Sequence, residues 1–200
     1  MKNITILILM LISIKCLAQS PEVNIIDDDG SRVNNAYYKD VDSVLNQFEG
    51  TYLYTSGNTS FKIIFTKKVL QYNGEFYEDL IIGAYQYIYN GVQISNTLST
   101  IDTVYFNQRR HLINGNTIVN KNYRRWKCPS CGLEEKRLLT SIKDVISNKF
   151  ADLIVRKINE SGQEVIKINI TNISGGTYNE VEGPPPAFSL PIGEMTLIKQ

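Results

Sequence analysis

Apolar residues recur at every second position along much of the chain from Thr51 onward, a period typical of half-buried β-strands. The clearest strand is predicted over 80–89, where three tyrosines share one face. The Asn-Gly pair at 90–91 follows it directly and is the strongest short-range signal of a hairpin turn. The predicted strands cover 51–55, 61–65, 80–89, 92–94, 101–106, 111–119, 133–142, 151–158, 164–172 and 194–199.

The spacing of these strands, about 10 to 12 residues with turn residues between them, predicts an all-β fold. An antiparallel sandwich or an up-and-down barrel fits this spacing, whereas alternating strands and helices do not. A further turn is predicted at 114–115, inside the strand over 111–119. The prolines at 184–186 cannot donate hydrogen bonds to a sheet, so we expect a connector there and not a domain boundary.

Helical spacing precedes the first strand. The apolar stripe consists of Val41, Val44, Leu45 and Phe48. These residues lie at positions i, i+3, i+4 and i+7, after the capping residue Asp40 and before Gly50, which favours a short N-terminal helix. Residues 19–39 are polar and without clear period, so they are predicted to form an irregular leader to a single β-domain over 40–200.

The beginning of the chain matches a secretory signal peptide over residues 1–18. An apolar run follows Lys2, and Ala18 supplies the small residue before a cleavage site. Two alternatives stay open: a lipoprotein in which Cys16 is acylated, which the preceding lysine disfavours, and a core helix. We therefore expect an exported chain that is periplasmic, secreted or an outer-membrane lipoprotein, and a membrane contact only through a lipid anchor.

Composition and charge narrow the function classes. A hydrophobic content of 42%, a charged content of 20% and a net charge of +1 argue against disorder and against nucleic-acid binding. His111 is the single histidine, so the common catalytic arrangements depend on one residue. Glu78 and Asp79 are neighbours in a predicted strand and therefore point to opposite faces, which is the wrong geometry for a paired acid and base. We expect no enzyme and no cofactor.

Two cysteines, Cys128 and Cys131, are separated by a proline and a serine. In an oxidising compartment a local disulfide is the first expectation. Half of a zinc site, a redox-active pair and free thiols are the alternatives, and the other zinc ligands are not evident in the sequence. No metal is therefore expected.

Two surfaces are candidates for binding. The tyrosines on one face of the predicted strand over 80–89 could line a barrel interior that holds a ligand, or they could simply cover a sheet. A concentration of basic residues with interleaved aromatics lies in a predicted hairpin over 109–137 and could contact an anionic group or serve as a solvated edge. The candidate ligand-binding residues are Tyr85, Tyr87, Tyr89, Arg124, Arg125 and Trp126.

Two hypotheses about function follow. In the first, the exported barrel binds a small amphipathic ligand, which requires a cavity of about 300 Å³ or more. In the second, the chain is a non-enzymatic structural or interaction protein with a filled core, which contacts an envelope protein through the hairpin over 109–137.

Several stretches resemble an uncharacterised family of short exported proteins from Bacteroidetes-type bacteria. They are Phe48–Tyr52, Tyr77–Leu80, Tyr85–Tyr87, Asn90–Gly91, Asn96–Leu98, Pro186–Pro191 and Met195–Lys199. The resemblance implies a lipocalin-like or calycin-like fold: a short helix that leads into a single antiparallel up-and-down β-barrel. Members of the family often carry a lipoprotein cysteine, to which Cys16 is similar. The resemblance implies no activity.

Overall fold

The computed structural model describes residues 20–176 and 186–200, so the predicted signal peptide and Cys16 lie outside the described residues. The strands are β1 (Glu22–Asn24), β2 (Tyr37–Lys39), β3 (Gly50–Ser56), β4 (Thr59–Tyr72), β5 (Tyr77–Tyr89), β6 (Val92–Asn96), β7 (Ile113–Val119), β8 (Arg137–Lys143), β9 (Phe150–Glu160), β10 (Gln163–Ser174) and β11 (Gly193–Lys199). Short 3-10 helices cover Val44–Phe48, Leu98–Thr100 and Gln108–Arg110. In this part of the chain, no helix has the length and apolar character needed to span a membrane.

Eight strands form a closed antiparallel barrel, in the order β3, β4, β5, β7, β8, β9, β10 and β11, with β11 pairing back to β3. Consecutive barrel strands are neighbours in the ring, except that β6 forms a separate hairpin with the end of β5. The barrel is therefore up-and-down, and the prediction of an all-β antiparallel fold is confirmed.

The period-two pattern explains which residues fill the barrel. Phe61, Ile63 and Phe65 of β4 are buried, and they share a face with the β5 residues opposite them, of which Tyr85 is also buried. Because successive side chains of a strand point to opposite faces, one apolar set per strand packs into a common core. That core includes Leu153, among other residues, from the far side of the ring.

The predicted N-terminal helix is wrong as an α-helix. A 3-10 helix over Val44–Phe48 takes its place, because Ser43 has a left-handed backbone (φ 56°) that interrupts the stripe. Asp40 does cap it: its carboxylate accepts hydrogen bonds from the N–H groups of Val44 at 2.7 Å and Leu45 at 2.9 Å. The helix packs against β4 and β9, which lie opposite each other in the ring, and so covers one end of the barrel.

The segment predicted to be an irregular leader contains two strands. β1 and β2 pair in parallel, and β2 continues the sheet by pairing with the start of β5. Ala36 and Tyr38 are buried in the main core. These residues were not recognised because a strand of three residues is too short to show a period.

Two local predictions are wrong. Residues 101–106 form a loop, which continues from the 3-10 helix over Leu98–Thr100 through a hydrogen bond from the Thr103 N–H to the Thr100 carbonyl (3.1 Å). Residues 114–115 form no turn, since β7 is continuous and has only a register shift there. Gly115 is required for a different reason: a Cβ at this position would lie 2.9 Å from the Cα of Thr140 on β8.

Candidate functional site

The predicted tyrosine face divides into buried and exposed parts. Tyr85 is fully buried, and its hydroxyl donates to the Lys143 carbonyl at 2.8 Å and accepts from the Val145 N–H at 3.2 Å. Burial raises the pKa of Tyr85 to about 12. Tyr87 is also buried and packs edge-to-face on Phe61, with ring centroids 5.9 Å apart.

Tyr89, at the end of β5, is 52% exposed. Only this third tyrosine therefore has a largely accessible ring. Tyr85 and Tyr87 belong to the packed core of the barrel interior, as ordinary core side chains do.

The predicted hairpin over 109–137 is a different structure. Its first part contains barrel strand β7, and the residues that follow, 120–136, form a loop that we call the cap loop. The cap loop folds back on the outer face of the barrel: Trp126 packs on Ile154 of β9, and its indole N–H donates to Glu194 of β11 at 2.7 Å. Arg125 forms an ion pair with Asp152 of β9.

Three cap-loop residues were predicted to bind a ligand. Arg125 and Trp126 instead contact the outer face of the barrel, whereas Arg124 is exposed. Arg137 holds the base of the cap loop. Its guanidinium is fully buried and donates to the Trp126 carbonyl at 2.7 Å and to the Asn120 carbonyl. Burial lowers the pKa of this guanidinium.

The structure contains the predicted disulfide between Cys128 and Cys131. Both residues are buried in the cap loop. Glu135, nearby in sequence, pairs with Arg156 of β9, and the hydrogen bond from that guanidinium lowers the pKa of the carboxyl. The disulfide thus stiffens a loop that is also tied to the barrel by charge.

The sequence did not indicate a buried ion pair on the outer face of β5. Glu78 is 1% exposed, and its carboxylate accepts from the Arg109 guanidinium (2.6 Å from Nε) and from the Asn116 side chain (3.0 Å). Its neighbour Asp79 accepts from the Tyr37 hydroxyl at 2.6 Å instead. The two carboxylates thus have separate structural partners, which an alternation pattern alone cannot reveal.

His111 is buried against the edge of the Tyr105 ring. Its Nε2 lies 3.1 Å from the Gln108 side-chain oxygen. Burial lowers the pKa of His111. The structure therefore places the single histidine in a packed environment, beside an amide and a phenol ring.

The barrel is closed by a short ladder between its first strand, β3, and its last strand, β11. β3 and β11 pair only at Leu53 with Ile198 and at Tyr52 with Lys199, whereas β3 pairs with β4 along its whole length. The Gln200 N–H adds one hydrogen bond to the Thr51 carbonyl at 2.9 Å. Beyond Leu53 the two strands separate.

Two adjoining depressions occupy this separation, and we call them together the seam groove. The larger has a volume of about 420 Å³ and the smaller about 290 Å³, and both are open to solvent. Tyr54 and Thr196 line both of them. The larger is lined in addition by Leu53, Thr55, Val165 and Ile198, and the smaller by Lys167, Glu194 and Met195, among other residues.

One residue pair of the ladder is missing at the seam groove. Backbone groups along a β-strand point alternately to its two neighbours, and the bond from Gln200 to Thr51 shows which residues face the seam. By this alternation Thr55 of β3 and Glu194 and Thr196 of β11 also face it. Thr55 and Thr196 would form the next hydrogen-bonded pair, but no such pair occurs within the described residues.

A family model matches residues 1–200. The chain belongs to DUF6705, a family of unknown function. No curated protein and no solved structure matches it. The DUF6705 assignment agrees with the resemblance to an uncharacterised family, and it brings no activity.

Some of the stretches that carried the resemblance have structural roles in this DUF6705 chain. Ser189, in the stretch 186–191, donates its N–H at 2.7 Å and its hydroxyl at 2.8 Å to Asp144, a fully buried carboxylate after β8. Leu190 beside it belongs to the main core. At the other end of the barrel, the Glu49 carboxylate accepts from the Lys67 N–H at 2.7 Å. Both contacts join loops to the barrel.

Proposed function

We propose that this DUF6705 chain is an exported, non-enzymatic interaction protein of the cell envelope, built on a lipocalin-like barrel. The observation that carries the proposal is the position of Tyr85 and Tyr87. In a hollow barrel these side chains would line a ligand cavity, but here they lie in the packed core with Phe61. A barrel filled in this way serves as a rigid scaffold, and its contacts with partners are made by the outer surface.

The cap loop supports this role, because it is held in place and still presents side chains to solvent. The contacts of Trp126 with Glu194 and of Arg125 with Asp152, together with the disulfide, fix its backbone. Leu133, at 76% exposure, is left on its outer side. An ordered loop with exposed residues binds a partner at a smaller entropic cost than a flexible one.

The proposed compartment rests on two features. Residues 1–18 have the pattern of a signal peptide. The disulfide between Cys128 and Cys131 is of a kind that persists in oxidising compartments. We therefore place the barrel domain, residues 40–200 with the strands before it, outside the cytoplasm.

Native mass spectrometry of the protein purified from its own cell envelope tests the proposal. We expect a chain that begins at Gln19, with one disulfide and no retained small molecule. An acyl group on Cys16 would change the form of export to a lipoprotein. An intact leader would refute export, and a retained amphiphile in stoichiometric amount would refute an interaction role without a small-molecule ligand.

A second function has one observation in its favour. The larger part of the seam groove is lined by the apolar residues Leu53 and Ile198, with the buried Val165 beneath them, and its volume of about 420 Å³ lies within the range of ligand pockets, about 300 to 1,000 Å³. A small amphipathic ligand would then bind on the barrel wall and not in its interior. If the envelope protein retains such a ligand, Ile198→Asp should release it, whereas Val92→Asp on the exposed side of β6 should not.

A further inference from the structure

We infer that the seam groove binds an extended segment of a partner polypeptide, which adds to the free edge of β11 as a β-strand. The inference rests on the proposed interaction role and names the chemistry of the partner. Strand addition gains affinity from main-chain hydrogen bonds and selectivity from alternate side chains. The seam groove offers main-chain groups for the hydrogen bonds and side chains for the selectivity.

The first element is a row of main-chain groups. Glu194 and Thr196 direct their backbone N–H and C=O groups toward the seam, and no described strand pairs with them there. On the opposite wall, formed by β3, the backbone N–H and C=O groups of Thr55 also face the seam. Groups of this kind at an exposed strand edge form a template for another chain.

The second element is the rigidity of both walls. β3 is paired with β4 from Gly50 to Ser56, and β11 is paired with β10 from Gly193 to Ile198. The side chain of Glu194 is held in addition by the Trp126 indole. The gap is therefore formed by two ordered strands that diverge, and it does not result from a frayed end.

The third element is the alternation of side chains across the groove. Tyr54 and Met195 both pack against the main core, so an added strand would meet apolar groups on its inner side. Lys167 and Glu194 line the groove as polar groups. The partner segment is therefore expected to alternate apolar and polar residues.

A capped synthetic peptide with the sequence of β3, Gly-Thr-Tyr-Leu-Tyr-Thr-Ser, is a suitable probe. In an extended conformation its two tyrosines share one face, and a leucine between two threonines occupies the other. The peptide also repeats the strand that β11 already accepts at Ile198. Binding is followed by backbone amide NMR on the protein purified from the envelope, with its native disulfide. We expect shifts at Glu194 and Thr196, and at least about tenfold slower hydrogen exchange of the Thr196 amide at saturating peptide.

Two controls separate strand addition from other binding. A peptide that is N-methylated at the alternate residues whose N–H groups would face β11 keeps its side chains but loses the donors of that edge, so it should not bind. The Thr196→Pro variant lacks the main-chain N–H that faces the seam and should weaken peptide binding at least about tenfold, whereas Thr196→Ser should bind normally.

Three results would overturn the inference: no binding up to about 1 mM peptide, equal binding of the N-methylated peptide, or equal binding by the Thr196→Pro variant. The N-methylated peptide is tested on the unmodified chain, so this arm does not depend on the folding of a variant. None of the three results would alter the mass spectrum of the envelope protein. Failure of strand addition is therefore distinguishable from failure of the proposed interaction role.

Discussion

Glu78 and Arg109 show how a buried charge is accommodated at the level of single residues. The carboxylate is 1% exposed and depends on the guanidinium and on Asn116. We expect Arg109→Ala to lower the free energy of unfolding by about 2 to 4 kcal/mol, because it leaves a buried carboxylate without its cation. Urea denaturation measures this loss.

A second variant identifies the cause of that loss. Adding Glu78→Gln to Arg109→Ala removes the unpaired charge and should recover part of the stability. Arg124→Ala, at an exposed position of the cap loop, should change stability by less than about 0.5 kcal/mol. If Arg109→Ala costs no more than Arg124→Ala, the buried pair does not contribute in the way proposed.

Asp144 provides a prediction about pH. Burial raises the pKa of this carboxyl, but hydrogen bonds from Ser147, Ser189 and the Ile146 N–H outweigh it and lower the pKa below the ordinary value of 3.8. A carboxyl with a lowered pKa in the folded state stabilises the protein above the pKa of the unfolded state. That stabilisation is lost as the pH falls through the folded-state pKa.

We therefore expect Asp144→Asn to cost about 1 to 3 kcal/mol at neutral pH, with a cost that shrinks below about pH 4. Urea denaturation at a series of pH values checks this. Asp102→Asn, at an exposed position, serves as the control and should show no such trend. A cost for Asp144→Asn that stays constant down to about pH 2 would contradict the assignment.

At the level of strands, alternation was sufficient to locate most of the barrel. It predicted the strand over 80–89 and those over 151–158 and 164–172, because one face of each is buried in a single core. The alternation pattern failed where backbone geometry or a loop contact determines the type or the start of an element. The 3-10 helix at Val44–Phe48 depends on one left-handed serine, and the start of β8 at Arg137 depends on a cap loop that packs elsewhere.

Gly83 tests the packing of three strands. A Cβ at this position would lie 2.7 Å from the Ile64 carbonyl oxygen on β4 and 3.1 Å from the Ile113 side chain on β7. Since a backbone oxygen cannot move aside easily, we expect Gly83→Ala to cost about 1 to 3 kcal/mol in urea denaturation. Gly132→Ala, whose nearest neighbour atom is 3.9 Å away, is the matched control and should be nearly neutral. Equal stability of the two variants would show that β5 is free to shift.

At the level of the whole molecule, the seam groove could not have been predicted from the sequence. It depends on the register between the first and last barrel strands, and no local pattern encodes that register. The tyrosines over 85–89 were predicted as a site because they share a face, but their burial depends on residues such as Phe61 and on the loop after Lys143. Local patterns define strands, whereas the way in which the ring closes determines which surfaces are available.

The incomplete closure leads to a prediction for the unmodified protein. Met195 and Leu197 face β10 in the ladder, whereas Thr196 between them faces the seam. We expect the amides of Met195 and Leu197 to exchange slowly with solvent and the Thr196 amide to exchange quickly, with a free energy of opening near zero. The Ile198 amide, in the closed part of the seam, should be protected and is the internal control. Hydrogen exchange followed by NMR measures all of them in one experiment. If Thr196 is protected as well as Leu197, the barrel is closed along the whole of β11, and no free edge exists for a partner strand.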